Sequence, residues 1–273
     1  MQRSTCKRRY NTMNIHHLLN DKRNERAYNT GEKSKIEEEK KEEPQETLIK
    51  VIQNLTQTPD LIEIFGETRT GKSTLSLCFF KSAEASGLKS LYIDTEQNIP
   101  YLSRPASYKL CLSLEKLQDV VYHLEDGYGF LVLDSIGMPV LGSFAKASLR
   151  ERGNMLLAMQ AMLYHLKDYA DRNQCWVLLT NQPVSELAVM DIEDKWERKR
   201  ALEERPPFGD KCSYFVKEIL KSELLYSNPS ESLIRLTAWG SRTYGRGTEI
   251  LKMKIKFSKV IIVKKELCWE FSI

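Results

Sequence analysis

The residues best placed to do chemistry stand together at Gly66-Glu67-Thr68-Arg69-Thr70-Gly71-Lys72-Ser73-Thr74. The spacing GxxxxGK[ST] belongs to loops that wrap backbone N–H groups around a phosphate chain at the positive end of a helix. In such a loop Lys72 reaches the β- and γ-phosphates, and the Ser73 hydroxyl ligates Mg²⁺. The flanks suit this reading, because Leu61-Ile62-Glu63-Ile64-Phe65 has the pattern of a short buried strand and Leu75 to Phe80 continues as a helix. A chance glycine-rich turn has no reason to carry both flanks. All nine residues are expected to hold ATP together with Mg²⁺.

Three further sets of polar residues follow apolar strands. Phe130-Leu131-Val132-Leu133 ends in Asp134, the Walker B position, where an acid accepts a Mg²⁺-bound water. Aspartate also starts turns, so the position gains its meaning from the phosphate loop. Glu96 follows the strand Leu91 to Asp94, and a carboxylate there can orient a water for in-line attack on a γ-phosphate. Spacing alone equally allows Asp94 or Glu96 to cap a loop. Asn181-Gln182 follows the strand Trp176 to Thr180; amides there either sense a γ-phosphate or form an ordinary polar turn before Pro183.

The elements that must position these residues are legible in the apolar pattern. Leu48, Val51, Ile52 and Leu55 have helical spacing, and Pro59 closes that helix. Strands are expected at 61–65, 88–94, 108–112, 130–134 and 175–180, with helices after the phosphate loop, at 114–124 and at 149–170. Strands that are apolar on both faces and alternate with helices imply an α/β fold, a mostly parallel sheet covered by helices on both faces. Ligands gather at the carboxyl ends of such strands, which is where Asp134, Glu96 and Gln182 fall. From Ser213 onward strands lack intervening helices, and antiparallel hairpins are expected at one sheet edge.

Bulk properties narrow the class. With 273 residues and 41% hydrophobic residues the chain can fill a real core, and the formal net charge of +4 decides nothing by itself. No apolar run approaches the roughly 20 residues of a membrane helix, and no secretory h-region is present. No membrane partner is expected, and the setting is intracellular and soluble. Cys6, Cys78, Cys111, Cys175, Cys212 and Cys268 lack CxxC spacing, which suits reduced buried thiols rather than zinc or disulfides. Residues 1–46, with basic Lys7-Arg8-Arg9 and an acidic stretch from Glu37 to Glu46, read as a disordered charged arm with one short helix near Ile15 to Leu19.

Four segments in register resemble the RecA/RadA family of recombination ATPases, in its archaeal and eukaryotic branch. Ile64 to Lys72 is similar to that branch's phosphate-loop signature, and Tyr92-Ile93-Asp94-Thr95-Glu96 to its strand carrying the catalytic glutamate. Leu131-Val132-Leu133-Asp134-Ser135 resembles its Walker B segment, and Leu178-Leu179-Thr180-Asn181-Gln182 the strand entering its second DNA-binding loop. The resemblance implies a RecA-like P-loop NTPase core over 47–222, extended at 223–273 by C-terminal antiparallel strands. It makes Lys72, Glu96 and Gln182 the catalytic set, Glu96 as general base and Gln182 as the link between ATP and DNA. Ser73 and Asp134 become the Mg²⁺ ligands.

The departures from the family are equally specific. Polar residues 1–46 stand where strand-exchange members carry a helical DNA-binding domain. No Phe-x-x-Ala polymerisation motif leads into the core; Phe144-Ala145-Lys146-Ala147 matches the letters but follows Walker B. The counterpart of the second DNA loop, 182–209, mixes Lys195, Trp196, Arg198, Lys199, Arg200 and Arg205 with Asp191, Glu193, Asp194, Glu197, Glu203 and Glu204, and reads as a charged helix. These features suggest a shortened RadA/RadB-type paralogue rather than a filament-forming recombinase.

Positive charge collects late in the chain. Between 240 and 265 stand Arg242, Arg246, Lys252, Lys254, Lys256, Lys259, Lys264 and Lys265 against one acid, Glu249. Leu251 to Phe257 alternates strictly and puts Lys252, Lys254 and Lys256 on one strand face. That row suits phosphate contacts and equally an edge strand protected by lysines. The loop Gly240 to Gly247, with Arg242, Tyr244 and Arg246, can grip single strands. By the resemblance, Lys146, Arg150 and Arg152 lie where the first DNA loop would be. The expected partners are single-stranded DNA and a full-length RadA-type recombinase or another paralogue, in the nucleoid if archaeal and the nucleus if eukaryotic. The expected function is a weakly hydrolysing, DNA-dependent ATPase of DNA repair. A KaiC-like regulatory ATPase acting on protein partners, or a structural ATP-binding paralogue without turnover, are the alternatives.

Overall fold

Each apolar strand in the first two-thirds of the chain must hide both its faces, so the sheet needs a helical layer on either side. A computed structural model, which describes residues 44–99, 104–144, 147–182, 214–228, 230–256, 259–264 and 267–272, has this architecture. In chain order its elements are α1 (Pro44–Thr56), β1 (Leu61–Phe65), α2 (Lys72–Ala85), β2 (Ser90–Asp94), β3 (Tyr108–Leu110), α3 (Leu114–Tyr122), β4 (Phe130–Asp134) and α4 (Met138–Phe144). There follow α5 (Leu149–Asn173), β5 (Trp176–Asn181), β6 (Glu218–Ser227), β7 (Glu231–Gly240), β8 (Glu249–Lys256), β9 (Lys259–Lys264) and β10 (Leu267–Ser272). The strands form one sheet in the order β10-β9-β8-β7-β6-β1-β5-β4-β2-β3.

The two faces sort by alternate residues. Ile62, Ile64, Tyr92, Val132 and Leu178 pack with Leu48, Ile52 and Leu55 of α1 and Leu75, Phe79 and Phe80 of α2. Leu61, Phe65, Leu91, Leu131 and Leu179 pack with Leu117 and Val121 of α3 and Met159, Leu163 and Leu166 of α5. Cys78, Cys111 and Cys175 are buried and free, and burial pushes the Cys78 thiol up to about 12, so it is unreactive. Among the described residues no helix is long and apolar enough to cross a membrane.

The long helix α5 starts where its sequence says it should. The Ser148 side chain accepts from the Glu151 backbone while Glu151 accepts from the Ser148 backbone N–H, a reciprocal capping box. Ser148→Ala should therefore lower unfolding stability by about 1 kcal/mol, read from the urea midpoint; an unchanged midpoint would show that the cap contributes nothing.

Strands β6 to β10 form the antiparallel hairpins expected at one sheet edge, and β6 also pairs parallel with β1. Two expectations change. Strand β8 lies between β7 and β9 with β10 beyond, so its lysines do not guard an edge. Helix α4 was not expected, because Pro139 and Gly142 mask a seven-residue helix. The arm at 1–43, the short helix near Ile15 and the charged segment 183–213 lie outside the described residues.

Candidate functional site

Residues 66–74 join the end of β1 to the start of α2. Gly71 is the N-cap with φ 81 and ψ 17, a left-handed conformation that favours glycine, and its carbonyl receives the Leu75 N–H at 2.9 Å. A Cβ at Gly71 would lie 1.9 Å from Ile234 Cδ1, and one at Gly66 would lie 2.4 Å from the Ser222 carbonyl oxygen. Both glycines therefore permit close packing of the segment under the β6–β7 ribbon. Ser222 Oγ donates to the Thr70 carbonyl at 2.8 Å and fixes the segment to β6. Within it, Thr70 Oγ1 donates to the Glu67 carbonyl, and Lys72 Nζ donates to the Gly66 and Glu67 carbonyls, each at 2.8 Å. Burial holds the Lys72 ammonium below its usual range, with Glu96, Asp134 and Glu67 opposing that shift.

Three neighbouring strand ends supply the rest. In the register, Asp94 of β2 stands opposite Asp134 of β4. Asp134 is buried; its Oδ2 accepts from Tyr92 OH at 2.9 Å and its Oδ1 from Thr180 Oγ1 at 2.5 Å. Burial raises its carboxyl above the ordinary range, while hydrogen bonds from Thr180, Ser73 and Tyr92 pull the other way. Burial first, and then the Asp134 charge, keep the Tyr92 hydroxyl protonated and donating. Ser73 and Asp134 thus line one cleft, a hydroxyl and a carboxylate near each other.

Asp94 caps the turn after β2. Its Oδ1 accepts from the Glu96 and Gln97 backbones at 2.9 and 2.8 Å, and its Oδ2 from Tyr108 OH at 2.8 Å. Asp94 thus organises the turn on which Glu96 stands. Glu96 Oε1 accepts from Ser135 Oγ at 2.5 Å and from Gln182 Nε2 at 3.5 Å, and Oε2 from Asn98 Nδ2 at 2.5 Å. Thr95 ties the two strand ends together: its Oγ1 donates to the Ser135 carbonyl and accepts from the Ser135 N–H.

These groups share one cleft of about 410 Å³, lined by Thr68, Arg69, Gly71, Lys72, Ser73 and Thr74, by Glu96, Asn98, Asp134 and Gln182, and by Leu224, Ser232, Ile234 and Ile255 of the ribbon. Gly66, Glu67 and Thr70 do not line it; they hold the segment's shape. Sequence reasoning missed the ribbon wall, and also Tyr92, Thr180 and Ser135, which orient the carboxylates. The oxygen pair Ser73–Asp134 suits Mg²⁺, a hard cation that takes few protein oxygens and completes its shell with phosphates and water. Among the described residues no group of three or more His, Cys, Asp or Glu side chains could hold a metal ion without such help.

Among the described residues, none of those assigned to DNA lines this cleft. Arg150 is exposed on α5, whereas Arg152 donates to the Phe144 and Ala147 carbonyls at 3.0 and 3.1 Å and ties α4 to α5. Arg242 is exposed, and Arg246 stacks 3.8 Å from the Trp239 ring centroid. Lys252 pairs with Glu249 at 3.7 Å and Lys254 with Glu231 at 2.7 Å. Lys146 and the Lys256 side chain lie outside the described residues.

The chain shares its fold with a recombinase. A solved structure of the RadB recombinase matches it with a TM-score of 0.50 at 17% sequence identity, over 76% of this chain and 94% of that one. At that identity the likeness is one of fold. No protein-family model matches the chain, and no curated protein matches it in sequence. The RadB-like fold is the mixed α/β architecture, with helices on both sheet faces, that the sequence resemblance implied.

Proposed function

We propose that this chain binds Mg·ATP at the Gly66–Thr74 loop, hydrolyses it slowly, and acts in DNA repair as a shortened recombinase paralogue that binds DNA or assists a full-length recombinase. The observation that carries the reading is convergence: Lys72, Ser73, Asp134, Glu96 and Gln182, spread over more than a hundred positions, line a single cleft.

On this reading Lys72 exchanges the Gly66 and Glu67 carbonyls for phosphate oxygens, and the loop N–H groups hold the remaining phosphates. Ser73 and Asp134 hold Mg²⁺, which supplies charge neutralisation when bound. Tyr92 and Thr180 keep Asp134 oriented. Glu96 takes the proton of the attacking water, and Gln182, touching Glu96, is displaced or held according to whether a γ-phosphate is there. Among the described residues, Arg69 and Lys72 are the cations in the lining. Phosphoryl transfer depends on charge stabilisation, so a further cation from a neighbouring subunit would accelerate it.

Calorimetry tests the foundation. Wild type should take up Mg·ATP with measurable heat, and Lys72→Ala should weaken it by about 2 kcal/mol, the worth of a charge-assisted hydrogen bond. No uptake by the folded wild type ends the reading. Fluorescence anisotropy with single-stranded DNA, with and without ATP at two salt concentrations, tests the DNA half, since phosphate contacts weaken steeply with salt. A second reading has its own support. Lys252, Lys254 and Arg246 are already engaged by Glu249, Glu231 and Trp239, which favours a regulatory ATPase acting on protein partners. Absent or salt-insensitive DNA binding, with Mg·ATP binding intact, selects it.

A further inference from the structure

Four of the five residues of β1 are apolar; the fifth, Glu63, is a carboxyl group buried mid-strand on the α5 face, two residues from both Leu61 and Phe65. An apolar residue there would avoid the cost of desolvating a carboxyl, so the position invites a reason. Its partner is Asn181, which lies opposite Phe65 in the register and therefore diagonal to Glu63. Asn181 Nδ2 donates to Glu63 Oε1 at 2.9 Å, and Asn181 Oδ1 accepts from the Gln182 backbone N–H at 3.0 Å.

The polarity of this line is forced. A backbone N–H can only donate, so it takes the oxygen of the Asn181 amide, and the nitrogen must then face Glu63. Glu63 accordingly acts as an acceptor toward Asn181 whether or not it carries a proton. Gln182 is the first residue beyond β5, and its side chain reaches Glu96 Oε1 at 3.5 Å. The line runs from inside the sheet, through one amide, to the backbone of the residue that touches the general base.

We propose that Glu63 is a positioning residue, whose hydrogen bond to Asn181 locks the amide that holds the Gln182 backbone and so sets the reach of the Gln182 side chain to Glu96. Its catalytic consequence rests on the nucleotide reading above; its positioning consequence does not. Removing the acceptor frees the Asn181 amide to turn, and the Gln182 N–H loses its partner. Phosphate binding at Lys72 and Ser73 is untouched, so the loss belongs in kcat and not in KM.

The test uses the full chain and two readouts, amide hydrogen exchange at Gln182 and steady-state hydrolysis of Mg·ATP. Glu63→Leu should speed exchange at Gln182 and lower kcat by about tenfold, the rate equivalent of one lost hydrogen bond, with KM within about twofold. Glu63→Gln keeps an acceptor oxygen and should match wild type in both. Should Glu63→Leu not fold, Glu63→Met, unbranched like glutamate and likewise without an acceptor oxygen, takes its place with the same expected outcomes. Wild-type exchange at Gln182 in the apolar variant, or equal losses in Glu63→Gln and the apolar variant, would each overturn the proposal. A wild type that takes up no Mg·ATP, yet shows Glu63-dependent protection of Gln182, would sink the nucleotide reading and leave the positioning role standing.

Discussion

Glu96→Gln should reduce ATP hydrolysis by about 10²–10⁴-fold, the range for loss of a positioned general base, with Mg·ATP binding retained. Gln at 96 keeps an oxygen to accept from Ser135 Oγ, so the turn organised by Asp94 has no reason to move. What disappears is the ability to take a proton. Removing a negative charge from beside the phosphate site will hold affinity steady or tighten it, since unlike Lys72 and Ser73 this carboxylate offers no donor to a phosphate. Phosphate release in a single-turnover format and calorimetry on the same protein separate the two quantities. A rate within about threefold of wild type would remove Glu96 from the mechanism. If the variant also assembles unchanged with a recombinase partner while ATP is bound, ATP acts as a structural ligand and turnover is incidental.

What the sequence made legible follows from how local each signal is. The phosphate-loop pattern is contiguous, and its glycines and Lys72 declare themselves by spacing alone. Asp134, Glu96 and Gln182 end apolar strands, and in a parallel sheet strand ends share one edge, so their convergence follows from topology. Helices α1 and α5 announce themselves by apolar period. Glu63 was invisible because a single acid within an apolar strand has no period. Its meaning depends on the diagonal to Asn181, which exists only once β1 and β5 are paired.

The ribbon wall was hidden for a related reason. Leu224, Ile234 and Ile255 read as ordinary alternating strand residues. Only the parallel pairing of β6 to β1, together with the ten-residue length of β6 and β7, carries them past the sheet edge to the loop. The glycine at 71 was the available clue, because it permits the contact with Ile234. The lysine row shows the opposite failing. Its alternation was real, but the acids that pair with it are Glu231, brought alongside by strand register, and Glu249 at the start of β8 itself.

Stability should fall as pH rises from about 4.5 to about 7, and Glu63 is a principal cause. Burial raises its carboxyl from the ordinary 4.5 to about 7, against the opposing hydrogen bond from Asn181. Below pH 4.5 the group is protonated in both folded and unfolded chains and contributes no pH dependence. Between the two values the folded chain keeps a proton that the unfolded chain releases, so unfolding becomes easier with each step in pH. Above about 7 both states are ionised and the loss levels off at about 3 kcal/mol, from roughly 1.4 kcal/mol per pH unit. Buried Asp134 shifts in the same direction, so the wild-type profile alone cannot apportion the effect, but the difference from Glu63→Gln can. That variant keeps the acceptor for Asn181 and has no proton to lose. Urea unfolding should therefore show it more stable than wild type by about 3 kcal/mol at pH 8, with the gap shrinking steadily toward pH 4.5. A gap that stays constant across this range would mean that Glu63 ionises normally inside the sheet, and the buried carboxyl would need a cationic partner to explain it.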